Sequence, residues 1–263
     1  MIDIHCHILP FMDDGASDWE AALVMAREAE QDGITTIIAT PHHANGQYMN
    51  PAPNIGEAVK LFNEKLRQSD SSLLVLPGQE IRVYGDLLND LEKGTLLSLA
   101  GSRYILLEMP SSRVPRNMEE VCHELIIQGF VPVIAHPERN AEIASDPSKL
   151  ERLIEQGSIG QVTAQSVAGV FGSKLQKLSL ELCRRNLIQV VASDAHDSVH
   201  RPFGLSEAYR TLEKTLGKET SDYFRRNAEK IVRNLEFDKG GHGLPRRKRH
   251  KLFDFVKSLL DKE

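Results

Sequence analysis

Cysteine, tryptophan and long apolar runs are scarce in this sequence, and each shortage narrows its reading. Three cysteines, Cys6, Cys122 and Cys183, are spread over 263 residues. That is too few and too scattered for a disulfide framework or a thiolate zinc site, so all three are read as reduced. No apolar stretch approaches the roughly 18 residues that a membrane-spanning helix needs; the longest are strand-sized and broken by proline, glycine or charge. The opening Met1-Ile2-Asp3-Ile4-His5 leaves no room for the basic and apolar regions of a secretory signal, which predicts a cytoplasmic protein. A net charge of −5 gives no overall pull toward nucleic acid or anionic membrane, although basic residues gather at the end of the chain.

What is present is a repeating pattern. A hydrophobic content of 41% in a chain of this length can build one sizeable core. Short runs rich in Ile, Val and Leu recur at Met1 to His5, Ile34 to Ala39, Leu73 to Leu76, Tyr104 to Leu107, Val131 to Ala135, Ile159 to Thr163 and Leu187 to Ala192, as strands buried on both faces do. Helical spacing fills the intervals. Ala22, Met25, Ala26 and Ala29 share one face, with Ser17 placed as N-cap and Gly33 as stop. Ile55 to Arg67, Asn117 to Gln128, Ser148 to Gln156, Ser173 to Arg185 and Ser206 to Leu216 read the same way. Strand then helix, repeated about seven times, predicts α/β architecture, either a parallel barrel or a doubly wound sheet. The barrel is preferred because reactive residue types follow so many strands, whereas an open sheet concentrates its site near one switch point.

Those strand ends carry the chemistry. The first ends in His5-Cys6-His7, whose two imidazoles project to one side by strand alternation. Later strands run into Pro41-His42-His43, Gly78-Gln79-Glu80, Glu108-Met109-Pro110, His136-Pro137-Glu138-Arg139 and Asp194-Ala195-His196; only Ile159 to Thr163 lacks a ligand type at its end. Any one of these could be a locally packed histidine or a solvated carboxylate. The common end of parallel strands is where a barrel gathers its site, so His5, His7, His42, Glu80, Glu108, His136, Asp194 and His196 would converge, with Asp14 on the first loop able to join them. Imidazole and carboxylate without thiolate suit Mn, Fe or Zn in a catalytic centre. Roughly nine ligands exceed what one ion takes, so two or three ions are expected, with a carboxylate such as Glu80 bridging and a metal-activated water as nucleophile.

His5-x-His7, Asp14-Gly15, His42, Glu80, His136-Pro137 and Asp194-x-His196 resemble the motifs of the PHP (polymerase and histidinol phosphatase) family across nearly the whole folded region. The longer strings Met1 to Pro10, Asp13 to Gly15, Ala39 to His43, Leu76 to Arg82, Ala135 to Asn140 and Ala192 to His196 resemble one branch, the bacterial manganese-dependent tyrosine-protein phosphatases of capsule and exopolysaccharide loci. The resemblance implies a distorted (β/α)7 TIM-like barrel. It also implies a three-metal manganese site: His5, His7, Glu80 and Asp194 on one ion; Glu80, Glu108 and His136 on a second; Asp14, His42 and His196 on a third. The implied substrate is the phosphotyrosine-rich tail of a cognate bacterial tyrosine kinase, whose cycling controls polysaccharide export.

A phosphate monoester carries two negative charges, so its hydrolysis needs positive charge around the non-bridging oxygens. Arg139 and Arg201 are placed to clamp those oxygens as catalytic residues, or else form surface ion pairs. The phenol leaving group has a pKa of about 10, so a dedicated acid is dispensable. His43 and His200 are the candidates for one, unless they are merely packed or surface histidines; His123, His242 and His250 are read as non-functional. The cysteine phosphatase mechanism is excluded, since it needs an arginine six positions after the thiolate and finds Met12, Gln128 and Gln189 there.

The domain boundary is expected near Asp238, with the catalytic unit over 1–238. Residues 239–263 read as a glycine-rich linker and a basic, apolar-spaced tail, either an address for anionic lipid or the kinase, or a solvated extension. Three rival readings remain: a PHP phosphatase acting on a small ester such as histidinol phosphate, an amidohydrolase-type deaminase or amidase, and a non-catalytic regulator. Glu80 and Glu108 stand where an amidohydrolase would usually carry a carboxylated lysine, and the complete ligand set speaks against the regulator.

Overall fold

All seven apolar runs form strands, joined by two shorter ones that the sequence pattern does not announce, in the computed structural model, which describes residues 1–237. In chain order the elements are β1 (Ile2–Cys6), α1 (Trp19–Gln31), β2 (Thr36–Ala39), β3 (His42–His43), α2 (Ala52–Gln68), β4 (Leu74–Pro77), β5 (Glu80–Arg82), α3 (Leu87–Glu92), β6 (Tyr104–Glu108), α4 (Met118–Ile127), β7 (Val131–Ala135), α5 (Ala141–Ser145), α6 (Ser148–Glu155), β8 (Ile159–Thr163), α7 (Ala164–Ala168), α8 (Ser173–Arg184), β9 (Val190–Ala192), α9 (Leu205–Leu216) and α10 (Lys218–Val232). Two details depart from the periodicity. Helix α1 is capped by Asp18, not Ser17: the Asp18 carboxylate accepts from the Ala21 amide at 2.8 Å, while the Ser17 hydroxyl donates to Asp18. Helix α10 buries Thr220, Ser221 and Asn227 along with Tyr223, Phe224, Ala228 and Ile231, so its inward face lacks a clean apolar stripe.

Every strand pairing is parallel, in two sheets ordered β1-β2-β4 and β3-β5-β6-β7-β8-β9. Among the described residues no single closed ring joins them, where the resemblance implies a seven-stranded barrel. The reason lies in two chain segments that begin in one sheet and finish in the other. One breaks between β2 and β3 at Thr40-Pro41, the other between β4 and β5 at Gly78-Gln79. Pro41 and Pro77 have no amide hydrogen to continue a ladder. Gly78 cannot carry a side chain, because a Cβ there would come within 2.6 Å of Ile38 Cγ2. At the opposite margin, β1 and β9 are joined just beyond their ends by Asp194 N to His5 O at 2.8 Å and His7 N to Ala195 O at 2.9 Å.

Strand alternation divides the interior into two apolar layers. The larger lies between sheets and helices and includes Ile37, Ile81, Leu107, Ile134, Val162 and Val191. The smaller lies between the two sheets, where Ile4, Ile38, Tyr104, Leu106, Val133, Ile159 and Val190 pack with Ala228 and Ile231 of α10. On this inner face, moving two residues further at the ends of β6, β8 and β9 passes from apolar side chains to polar ones. Leu106 is followed by Glu108, Ile159 by Gln161, and Ala192 by Asp194. Strand β1 adds a device of its own. Its register slips by one residue between Asp3, opposite Ile37, and Cys6, opposite Ala39. The extra residue lets Ile4 join the inner cluster while His5 also turns inward.

Among the described residues no helix is long and apolar enough to cross a membrane. The linker and tail expected over 239–263 lie outside the described residues.

Candidate metal centre

Nine side chains singled out from the sequence gather where the strands end. His5 Nε2 lies 3.4 Å from Glu80 Oε2 and 3.3 Å from Asp194 Oδ1, and His7 Nε2 lies 3.4 Å from each of the same two oxygens. His136 Nε2 meets Glu80 Oε1 at 2.8 Å, and His42 Nδ1 approaches Glu80 Oε2 at 2.8 Å and Glu108 Oε2 at 3.7 Å. Asp14 Oδ1 stands 3.4 Å from His42 Nε2 and 3.5 Å from His196 Nε2. Three groups place their ligand atoms within 4.8 Å of one another: His7, Asp14, His42 and His196; His5, His7 and Glu80; His42, Glu80 and Glu108. Compared with the sets implied by resemblance, His7 and His42 each reach a second group.

Hydrogen bonds from behind fix which nitrogen each imidazole presents. His5 Nδ1 donates to Gln161 Oε1 at 2.9 Å, His7 Nδ1 to Asp13 Oδ2 at 2.6 Å, and His196 Nδ1 to the Asp194 carbonyl at 3.0 Å. Each therefore directs its Nε2 toward the centre, where burial is outweighed by surrounding carboxylates that hold the His5 and His7 imidazoles above their ordinary range. The His5 and His7 Nε2 atoms face each other at 3.2 Å. Glu80 Oε2, Asp194 Oδ1, His42 Nδ1 and His196 Nε2 are buried with no hydrogen-bond partner, the short His42–Glu80 approach lacking the alignment for one. Lone pairs and carboxylates converging without donors form an arrangement that divalent cations reconcile, and the all-nitrogen and oxygen donor set fits Mn, Fe or Zn.

Charge reinforces this. Burial alone would keep Glu80 neutral, but His5 and His42 outweigh it and hold the carboxyl well below its usual range. Asp194 is held down in the same way, burial being outweighed by His5, His7, His196 and Arg201. Burial and then nearby Glu80 push Glu108 up. Burial and His7 push His196 down to about 4, so its imidazole is neutral, as a ligand must be.

The backbone is strained at two of these residues. His136 (φ 33°) and Asp194 (φ 56°) adopt left-handed conformations that non-glycine residues avoid. Asp194 is held there by its neighbour: Ser193 donates both its amide, at 2.9 Å, and its hydroxyl to buried Asp3. On the first loop, Gly15 packs so tightly that a Cβ would sit 2.0 Å from the His7 carbonyl oxygen, which brings Asp13 and Asp14 onto the centre.

Both sequence-selected arginines meet at Asp194. Arg139 Nη1 and Arg201 Nη2 contact its Oδ2 at 2.5 and 2.6 Å, and both line a cavity of about 220 Å³ with Asp14, His42, Glu108 and His136. The general-acid candidates are placed elsewhere. His43 is buried with Nδ1 bonded to the Asn50 carbonyl at 3.0 Å, and His200 is exposed and paired with Asp197. His123 is exposed on α4. The three cysteines are buried, and burial lifts the Cys122 thiol to about 11 and the other two above their ordinary range.

Three contributors were not assigned roles from the sequence. Asp13 orients His7 and accepts the His42 amide at 2.9 Å; Gln161 orients His5; Arg82 grips both Glu108 oxygens at 2.9 and 3.0 Å. Signals existed for each: Asp13 adjoins Asp14, Gln161 is polar in mid-strand, and Arg82 is two residues from Glu80 on the same strand face.

Comparison with known proteins places this geometry. A family model described as capsular polysaccharide synthesis, CpsB/CapC, matches residues 1–233. The tyrosine-protein phosphatase YwqE of Bacillus subtilis is 51% identical over 234 residues, covering 89% of this chain and 92% of the relative. The tyrosine-protein phosphatase CpsB of Streptococcus pneumoniae is 31% identical over 238 residues, covering 88% and 98%. A solved structure from work on YwqE of Bacillus subtilis and CpsB of Streptococcus pneumoniae, described as unique metal-dependent tyrosine phosphatases, superposes with a TM-score of 0.89. It shares 50% identity and covers 90% of this chain and 96% of its own.

Proposed function

We propose that this chain, which belongs to the CpsB/CapC family of capsular polysaccharide synthesis, is a metal-dependent protein-tyrosine phosphatase. The observation that carries the reading is the convergence of five imidazoles and four carboxylates at the strand ends, beside a cavity that Arg82, Arg139 and Arg201 line. His5, His7, Glu80 and Asp194 would hold one divalent cation, Glu80, Glu108 and His136 a second, and Asp14, His42 and His196 a third, with Mn²⁺ the proposed native ion. Cations bound there would supply Lewis acidity toward the phosphoryl oxygens and lower the pKa of the attacking water.

The chain's own residues do the rest. Arg139 and Arg201 each spend one N–H on Asp194 and keep the remainder of a planar fork for the non-bridging oxygens of the substrate. Asp194 aligns both guanidinium groups while facing His5 and His7 with its other oxygen. Asp13, Gln161 and the Asp194 carbonyl keep three imidazoles in the tautomer that leaves Nε2 free. The phenolate departs without a dedicated acid, since its conjugate acid has a pKa of about 10.

The proposal extends to a PHP-type distorted barrel, supported by the hydrogen bonds that join β1 to β9 beside the site. It extends also to a catalytic unit over 1–238, a cytoplasmic setting, and a cognate tyrosine kinase as the phosphotyrosine substrate in the control of capsule or exopolysaccharide synthesis. The tail at 239–263 is proposed as its address on the kinase or the membrane. The test is turnover of a phosphotyrosine peptide and of histidinol phosphate by the full chain, with chelator and with manganese restored. The expected result is peptide hydrolysis that chelation abolishes and manganese recovers. Activity indifferent to chelation, or preference for histidinol phosphate, overturns the reading.

A further inference from the structure

Strand β8 ends without a ligand, yet the segment that follows it touches both arginine-bearing loops. Buried Glu138, next to Arg139, accepts the Thr163 amide at 2.9 Å and the Thr163 hydroxyl at 2.8 Å. Gln165 of α7 donates its side-chain amide to the carbonyl of Pro202, next to Arg201. The Arg139 guanidinium carbon lies 5.8 Å from the centre of the Phe171 ring, within cation–π range. The stretch from Thr163 to Phe171, with α7 in its middle, thus contacts both arginine loops.

It ends in a tight turn, Gly169-Val170-Phe171-Gly172. Both glycines have positive φ, 85° and 95°, and a Cβ on Gly169 would come within 2.9 Å of Gln176. Val170 N bonds Gln165 O, and Gly172 N bonds Gly169 O, each at 3.0 Å. Val170 is left 65% exposed and Phe171 39%. The same end of the molecule exposes Phe11, Met49 and Val199 on the loops after β1, β3 and β9. Apolar side chains held in water at the end of a molecule that bears a charged cavity mark a place where an apolar group of the ligand can settle.

The chemistry of the ester names that group. In an aryl phosphate one oxygen separates phosphorus from the ring, so a phosphoryl group held by Arg139 keeps the aryl ring near that guanidinium, and Phe171 offers an aromatic face 5.8 Å from it. An alkyl phosphate brings no ring there. We infer that Phe171 is a specificity-determining residue whose ring packs against the phenyl ring of the phosphotyrosine while Arg139 and Arg201 hold its phosphoryl group. This rests on the phosphatase reading and adds to it the basis for choosing aryl over alkyl esters.

Inhibition separates the two. Phenylphosphonate and methylphosphonate would be titrated against hydrolysis of a phosphotyrosine peptide by the manganese-loaded full chain, by its Phe171→Ala, Phe171→Leu and Phe171→Tyr variants, and by Ile127→Ala, which removes an exposed apolar side chain on α4. Phe171→Ala is expected to weaken phenylphosphonate about tenfold and to raise the peptide KM by a similar factor. Methylphosphonate inhibition and kcat should move less than about twofold, with Phe171→Leu intermediate, and Phe171→Tyr and Ile127→Ala close to the parent. Equal weakening of both phosphonates would mean that Phe171 acts only by propping Arg139, and no weakening of either would mean that it acts not at all; each overturns the inference. A parent chain with no phosphotyrosine activity would instead refute the phosphatase reading, and this inference with it.

Discussion

Two levels of the same inner strand face do opposite work. At the lower level Ile4, Ile38, Leu106, Val133 and Ala192 are buried in an apolar cluster between the sheets. One alternation further along stand Glu108 and Asp194, and just beyond, His42, Glu80 and His136. The lower level removes hydrocarbon from water and stabilises the fold. The upper level buries carboxylates and bare imidazole lone pairs and strains His136 and Asp194, at about 1–3 kcal/mol for each strained residue. The strand period carries both: a lower level that holds the chain together makes an upper level possible that would not hold together unaided.

Substitutions at the two levels should therefore separate activity from stability. The largest effect is expected from Glu80→Gln, which keeps the shape and removes the charge at the oxygen that His5, His7 and His42 surround. Its kcat/KM on a phosphotyrosine peptide should fall by about 10³-fold or more, with metal content reduced, while circular dichroism stays folded. Retention within tenfold would break the comparison from above. Next, Leu106→Ala should cost about 2–5 kcal/mol in a denaturant titration yet leave the folded, metal-loaded enzyme within about threefold of the parent. A stability loss near zero would break it from below.

Arg82→Met sharpens the boundary between levels, because its guanidinium holds both oxygens of Glu108. Metal affinity measured by competition with a chelator should weaken by about tenfold, and unchanged affinity would assign Arg82 to packing alone. The smallest effect belongs to a site remote from both levels: Asp18→Ala should lower stability by about 1 kcal/mol through loss of the α1 cap, with unchanged turnover.

How much of this could be read in the sequence follows from the same period. The positions of eight of the nine gathered side chains were legible because they close or follow recognisable apolar runs, and parallel strands bring their ends together; Asp14 was placed only by its loop. The resemblance to known phosphatases added the activity, which spacing alone does not contain. Strands β3 and β5 were illegible as strands because they are two and three residues long and made largely of the site's own polar side chains. Their pairing is set by neighbours, His42 against Glu80 and Arg82 against Glu108, and not by local preference. The split into two sheets was hidden for a related reason, since breaks at Thr40-Pro41 and Gly78-Gln79 divide what reads as single strands. Gln161 went unassigned because an amide is no metal ligand by type, and its role exists only through His5, a residue 156 positions away. Asp18 displaced Ser17 at the α1 cap because a carboxylate competes better for the Ala21 amide.

Anomalous diffraction at the manganese absorption edge, from crystals of the full chain grown with Mn²⁺, tests the centre most directly. The account predicts two or three peaks among His5, His7, Asp14, His42, Glu80, Glu108, His136, Asp194 and His196, with Glu80 contacting more than one. A map with no peak there, or with manganese held by other residues, would contradict it.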